Sequence, residues 1–271
     1  MTGIYLLQLF LGVRKLQGMV SLERAELLSE QDSRKFASLV LGSSSNFISR
    51  GEGLSTLGAA SYLDCPDEKS LALLTGEGGG VDRDQNYQKY LELSAKLNPC
   101  LWADFEGVYM KLLEFFTSSL EAEVVFAAGK ALPGFHVYRS TSSHASQRFH
   151  IPHFDAQYKN LAWPESFKEQ MLPLFPPTIS FTLPLSLPGV GGNLRYWDWS
   201  YKDQVGLAKN EIVTALSRLK PKICRYEPGS IVVHDGHVLH QIEAWPADEG
   251  VCRITMQGHG IFLAGKWHIY W

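Results

Sequence analysis

His153-Phe154-Asp155 sets an imidazole and a carboxylate two residues apart. On a β-strand, side chains at i and i+2 leave the same face. Both groups can then grip one metal ion while Phe154 points away. Alone, such a short pattern arises often by chance, and the plainer reading is a hydrogen-bonded histidine beside an aspartate. A second element changes the odds. Pro228-Gly229-Ser230 reads as a turn, Ile231 to His234 as a buried strand, and Asp235-Gly236 as a tight turn sending a returning strand through His240. His153, Asp155 and His240 together make two imidazoles and one carboxylate, a facial set that leaves adjacent positions open on an octahedral metal. Further on, Arg253-Ile254-Thr255 puts a guanidinium fork and a hydroxyl on one face of the next strand, a pair suited to a buried carboxylate.

In this order and spacing, HxD, then His, then RxT resembles the Fe(II)/2-oxoglutarate-dependent oxygenase superfamily. The resemblance covers about Pro133 to Trp271. It implies a double-stranded β-helix, a jelly roll of the cupin kind, with iron at one end. It implies that His153, Asp155 and His240 bind Fe(II) and carry catalysis. Arg253 would pair with the distal carboxylate of 2-oxoglutarate, assisted by Thr255, with O2 as second cosubstrate. Tyr138, on the strand before HxD, is a further candidate contact to the keto acid, as a strand-borne tyrosine often is in relatives. Gly191-Gly192-Asn193 resembles the family's glycine turn. Halogenating relatives carry Gly or Ala at the carboxylate position, so Asp155 favours hydroxylation or a related C–H oxidation. The chain's ending loosely resembles that of members that tailor small molecules, such as amino acids or natural-product intermediates. A peptidyl hydroxylase of the same superfamily, a zinc hydrolase with the same ligands, and a non-catalytic metal-binding β-sandwich are the alternatives.

These side chains need a β-rich frame, and the second half of the sequence reads as one. Segments rich in Val, Ile, Phe, Tyr and Thr alternate with Pro/Gly turns: 135–139, 147–153, 178–185, 193–197, 222–226, 230–234, 238–244, 251–262 and 267–270. A helix is expected over Asp203–Leu219. The first half reads helical over Ser33–Leu41, Asp84–Leu97 and Trp102–Leu120, with loop from Gly42 to Gly58 and a turn at Gly78–Gly80. The expected class is α+β, mainly β, with a helical region over 1–132 supporting a β-helix core over 133–271 as one integrated domain.

Composition narrows the rest. The 271 residues are 45% hydrophobic and 20% charged, with a formal charge of −3. That excludes a disordered chain and lacks the basic footprint of a nucleic-acid binder. A small-molecule substrate is expected, with no nucleic-acid or membrane partner. The apolar run Ile4–Val13 is too short to span a bilayer, and residues 1–18 read as an extension the fold does not require. Cys65, Cys100, Cys224 and Cys252 form no CxxC pair, so free thiols in a reducing, cytoplasmic setting are expected. Trp197 and Trp199, after the glycine turn, and Tyr158, in a loop after HxD that could form a lid, are candidate substrate contacts. Core packing is the competing reading for the tryptophans. Arg148 and Arg195 could anchor a substrate carboxylate, though surface salt bridges explain both as well. His150 should face away from His153, and His237 could support the metal ligands from outside.

Overall fold

The computed structural model describes residues 22–51, 53–66, 83–139, 151–168, 175–246 and 252–271. The extension over 1–18, the Gly78–Gly80 turn, Arg148 and His150 lie outside the described residues. Before Pro133 the chain forms β1 (Glu23–Glu26), α1 (Glu30–Gly42), β2 (Ile48–Gly51), β3 (Leu54–Leu57), the one-turn α2 (Ser61–Asp64), α3 (Arg83–Leu120) and β4 (Glu123–Phe126). Then follow β5 (Gly134–Arg139), the one-turn α4 (Glu165–Lys168), β6 (Thr178–Ser186), β7 (Leu194–Ser200), α5 (Lys209–Arg218), β8 (Lys222–Cys224), β9 (Ser230–His234), β10 (Val238–Ile242), β11 (Cys252–Leu263) and β12 (Lys266–Tyr270).

Two sheets result. The larger runs β1-β9-β6-β11-β5-β3-β2, with β12 pairing β11 and β4, and the smaller runs β10-β7-β8. An isolated bridge between His153 and His240 adds the HxD segment to the smaller sheet beside β10. The eight segments from β5 to β11, counting the one at His153, are thus divided four and four between two mainly antiparallel sheets, with β7 and β8 the consecutive pair that stays in the smaller one. This is the expected double-stranded β-helix.

Alternation along the strands of the large sheet divides its faces. Phe135 and Val137 of β5, Ile179, Phe181, Leu183 and Leu185 of β6, Ile231 and Val233 of β9, and Ile254 and Met256 of β11 all belong to one buried cluster. Their partners there are Leu101, Phe105, Val108, Tyr109, Leu112, Phe116 and Leu120 of α3, at helical spacing. Each large side chain so buried contributes about 1.5–3 kcal/mol, so this outer face and its helix anchor the molecule. The opposite face carries His136, Tyr138, Ser180, Thr182, His234, Arg253, Thr255 and His259, all buried. By alternation they project between the two sheets.

Several elements differ from the sequence reading. Two helices are found where Asp84–Leu97 and Trp102–Leu120 were expected, but the break between them within α3 lies at Phe105 (φ −128°, ψ 18°), and Pro99 sits inside the first of them. Pro99 removes one N–H from the helix ladder, and Asn98 ties this stretch to the β4–β5 connection, donating to the Lys130 carbonyl and accepting from the Leu132 N–H. The expected Gly42–Gly58 loop contains β2 and β3, and β1 and β4 were not foreseen. All four have four residues, too few for a period-2 signal to rise above chance. They are strands because an edge of the sheet pairs with them. The region before Pro133 is therefore woven into the same sheet as the core. The helix expected over Asp203–Leu219 is shorter, Lys209–Arg218, because residues 201–204 form a separate 3₁₀ turn capped by Ser200.

Trp271 fills the space over two glycines. A Cβ on Gly134 would lie 2.0 Å from the Trp271 ring and 2.6 Å from the Leu57 carbonyl oxygen. The second contact is backbone in the paired strand and cannot step aside. Gly134→Ala is expected to destabilise the fold by about 3 kcal/mol, the upper range for an overpacked core, as a lowered urea midpoint at unchanged slope.

Candidate metal centre

The backbone brings the first three residues together before their side chains matter. His153 N–H donates to the His240 carbonyl at 2.9 Å, and His240 N–H returns a bond to the His153 carbonyl at 3.0 Å. Asp155 N–H donates to the Gly236 carbonyl at 2.7 Å. That approach needs a glycine, since a Cβ at Gly236 would meet the Asp155 oxygen at 2.9 Å and Thr178 Oγ1 at 3.0 Å. Ligand atoms of His153, Asp155 and His240 then lie within 4.8 Å of one another. Among the described residues no other cluster of His, Cys, Asp or Glu does so.

The rings are oriented for ligation. His153 Nδ1 sits 2.8 Å from the Ile151 carbonyl, and His240 Nδ1 sits 2.9 Å from the Val238 carbonyl. A carbonyl only accepts, so Nδ1 carries the proton and Nε2 offers its lone pair. His240 Nε2 is 3.3 Å from Asp155 Oδ2, and His153 Nε2 is 3.9 Å from Asp155 Oδ1. Two nitrogens and one oxygen, borderline in softness, suit Fe(II) among the common metals.

Burial alone would raise the Asp155 carboxyl, but His240 and His259 outweigh it and hold it well below its ordinary range. Burial alone would lower His240, but Asp155 outweighs that and raises it above its ordinary 6.5. A metal must therefore expel a proton from His240 below that raised value. Divalent-metal affinity is expected to climb with pH by up to about tenfold per unit in that range, then level off once His240 is neutral. Metal titrations from pH 5.5 upward check this, and an affinity independent of pH would contradict it.

Arg253 lies on the inner face of β11 and is fully buried. Its Nε donates to the Gly192 carbonyl at 3.1 Å and its Nη1 to Thr255 Oγ1 at 3.3 Å. Rings of Tyr138, Tyr226 and Trp245 surround the guanidinium at 5.6–5.8 Å from its carbon to their centroids. Nη2 is buried without a hydrogen-bond partner among the described residues. A buried unpaired cation is costly, so this end of the guanidinium is shaped for an anion from outside the chain. The glycine turn makes room: Gly191 and Gly192 take φ of +74° and +69°, and a Cβ on Gly191 would strike the Ala244 carbonyl oxygen at 2.3 Å.

Of the expected substrate contacts, Tyr158 is buried to 2% and sits in a 3₁₀ turn within the second core cluster. Its hydroxyl is 3.5 Å from His237 Nε2. It packs the chain after HxD in place, unlike the lid read from the sequence. Trp197 shares a face of β7 with Arg195, whose guanidinium carbon lies 5.6 Å from its ring centroid. The residue paired with His240 is Tyr196, on the other face. Trp199 lies beyond a register shift, with its indole N–H buried and unpartnered among the described residues. His237 packs against Tyr158, Phe175 and Tyr201, outside the ligand set.

The sequence reading missed three neighbours of the ligands. Gln157 donates from Nε2 to Asp155 Oδ1 at 2.9 Å. His259 Nδ1 lies 3.1 Å from Ser180 Oγ and 3.7 Å from Asp155 Oδ2. The His234 ring lies 4.5 Å from that of His240. One was findable by parity: His259 continues the inward register of Arg253 and Thr255, whereas Gln157 opens a 3₁₀ turn where strand parity does not apply.

The sequence matches no family model and no curated protein. Among solved structures, the chain is similar to an N-substituted L-amino acid dioxygenase from Burkholderia ambifaria AMMD, at 16% identity over 88% of this chain and 91% of that one, with a TM-score of 0.47. It is similar to AviO1 from Streptomyces viridochromogenes Tue57 at 13% identity, covering 94% of this chain and 96% of that one, TM-score 0.46. A Pseudomonas putida prolyl-4-hydroxylase follows at 14% identity, 92% and 96% coverage, and TM-score 0.39. Likeness at this level assigns no activity or substrate to the chain. No described helix is long and apolar enough to cross a membrane.

Proposed function

We propose that the chain is an Fe(II)- and 2-oxoglutarate-dependent oxygenase that hydroxylates or otherwise oxidises a C–H bond of a small molecule, such as an amino acid or a natural-product intermediate. For hydroxylation the balance is substrate C–H, O2 and 2-oxoglutarate giving substrate C–OH, succinate and CO2. One observation carries the reading. Three side chains able to hold a metal ion, His153, Asp155 and His240, occur in the same β-helix as a fully buried arginine whose Nη2 has no partner among the described residues. A zinc hydrolase has no use for that arginine, and a dicarboxylic keto acid does.

Under this reading His153, Asp155 and His240 hold Fe(II), which when bound supplies the redox chemistry that dioxygen needs to react with a closed-shell molecule. Arg253 and Thr255 grip the distal carboxylate of the keto acid through charge-assisted bonds. Tyr138, Tyr226 and Trp245 wall that carboxylate from water, which strengthens its pairing. The carboxylate of Asp155 leaves no gap for a halide, which favours oxidation over halogenation.

The test is anaerobic addition of Fe(II) and 2-oxoglutarate. A weak visible charge-transfer band is expected, followed by succinate formation when O2 is admitted. Iron-loaded protein that gives neither would overturn the reading.

A further inference from the structure

Asp155 has two oxygens, and the proposed chemistry needs only one of them on the metal. A carboxylate can bind through one oxygen or both. Binding through both would take up one of the positions that a keto acid and dioxygen require. We propose, resting on the function above, that Gln157 is a positioning residue: its amide holds Oδ1 of Asp155 aside and leaves Oδ2, the oxygen beside His240, to the metal.

The geometry supports this from both ends of the amide. The Nε2–Oδ1 bond is 2.9 Å long, and both side chains are buried to 8% exposure. A carboxylate only accepts, so the amide nitrogen must face it. Gln157 Oε1 is buried with no partner among the described residues. Among the described residues, the bond to Asp155 is thus the contact that orients the amide. On the opposite oxygen, Oδ2 faces His240 Nε2 at 3.3 Å and His259 Nδ1 at 3.7 Å. The first is a proposed metal ligand, and the second is too long for a hydrogen bond. Oδ2 thus stays available.

The experiment uses the whole chain and Co(II) as a spectroscopic stand-in for Fe(II). Gln157→Leu and Gln157→Met remove the N–H at similar length. Both are expected to change the visible Co(II) spectrum, to weaken Co(II) binding roughly ten- to hundredfold as loss of a ligand's own hydrogen-bond partner does, and to weaken 2-oxoglutarate binding to the Co(II) form. The thermal midpoint should stay near that of the unaltered protein. A Gln157→Leu spectrum and affinity matching the unaltered protein would overturn the role of Gln157 alone. Loss of the folded state in both variants would also overturn it, since Gln157 would then be a structural residue. If the unaltered protein takes up neither Co(II) nor Fe(II), the metal-centre reading itself fails, and this role fails with it.

Discussion

Asp155→Ala is expected to abolish turnover and to weaken ferrous-ion binding by more than about a hundredfold, since losing even a ligand's supporting partner costs ten- to hundredfold. The carboxylate is the one anionic member of the set. Two neutral imidazoles alone neither balance the ion's charge nor fix its third site. The substitution has a second signature. His240 is held above its ordinary value by Asp155 against the opposing effect of burial. Without the carboxylate, burial acts unopposed by it, and the imidazole should titrate lower. Metal titration read beside the His240 ring signals in a pH series checks both parts. Turnover of 2-oxoglutarate at unaltered iron affinity would remove Asp155 from the ligand set.

Arg253→Met should weaken 2-oxoglutarate binding by about 3 kcal/mol, on the order of a hundredfold. Binding of 2-oxobutyrate, which lacks the distal carboxylate, should hardly change. The same substitution should leave the ligand-free fold as stable as before or more so. It exchanges a buried charge that has no acidic partner among the described residues for an apolar side chain. Thermal melts separate the two effects: 2-oxoglutarate should raise the midpoint of the unaltered protein and leave that of Arg253→Met nearly still. A variant stabilised by 2-oxoglutarate as strongly as the unaltered protein would contradict the assignment of Arg253.

The candidate ligand set and the guanidinium were legible in the sequence because the order HxD, His, RxT resembles a known family and the spacing puts each pair on one face. HxD fixes two side chains on one face, and RxT does the same for the next pair. The strands from β5 to β12 were legible because β-branched and aromatic runs stop at Pro and Gly. The hairpin of β2 and β3 was not. Ser49, Arg50, Ser55 and Thr56 carry no apolar alternation, and pairing with β5 alone makes them a strand pair. That the helix runs on through Pro99 was not legible either, and Asn98 beside it bonds a distant segment, a contact no local pattern encodes. The burial of Tyr158 was not legible, because an aromatic residue after a metal motif reads alike whether it faces open space or packs inward.

The strict alternation of β11 separates two kinds of inheritance along one stretch of chain. Exchanges at Ile254 and Met256 would be judged by whether the molecule holds together, while those at Arg253, Thr255 and His259 would be judged by what it can grasp. Both series are buried, so exchanges in either cost stability, but under the proposed function only the inward series also alters what the interior holds. A library randomised at the inward-facing positions should lose 2-oxoglutarate binding in more members than it loses the fold.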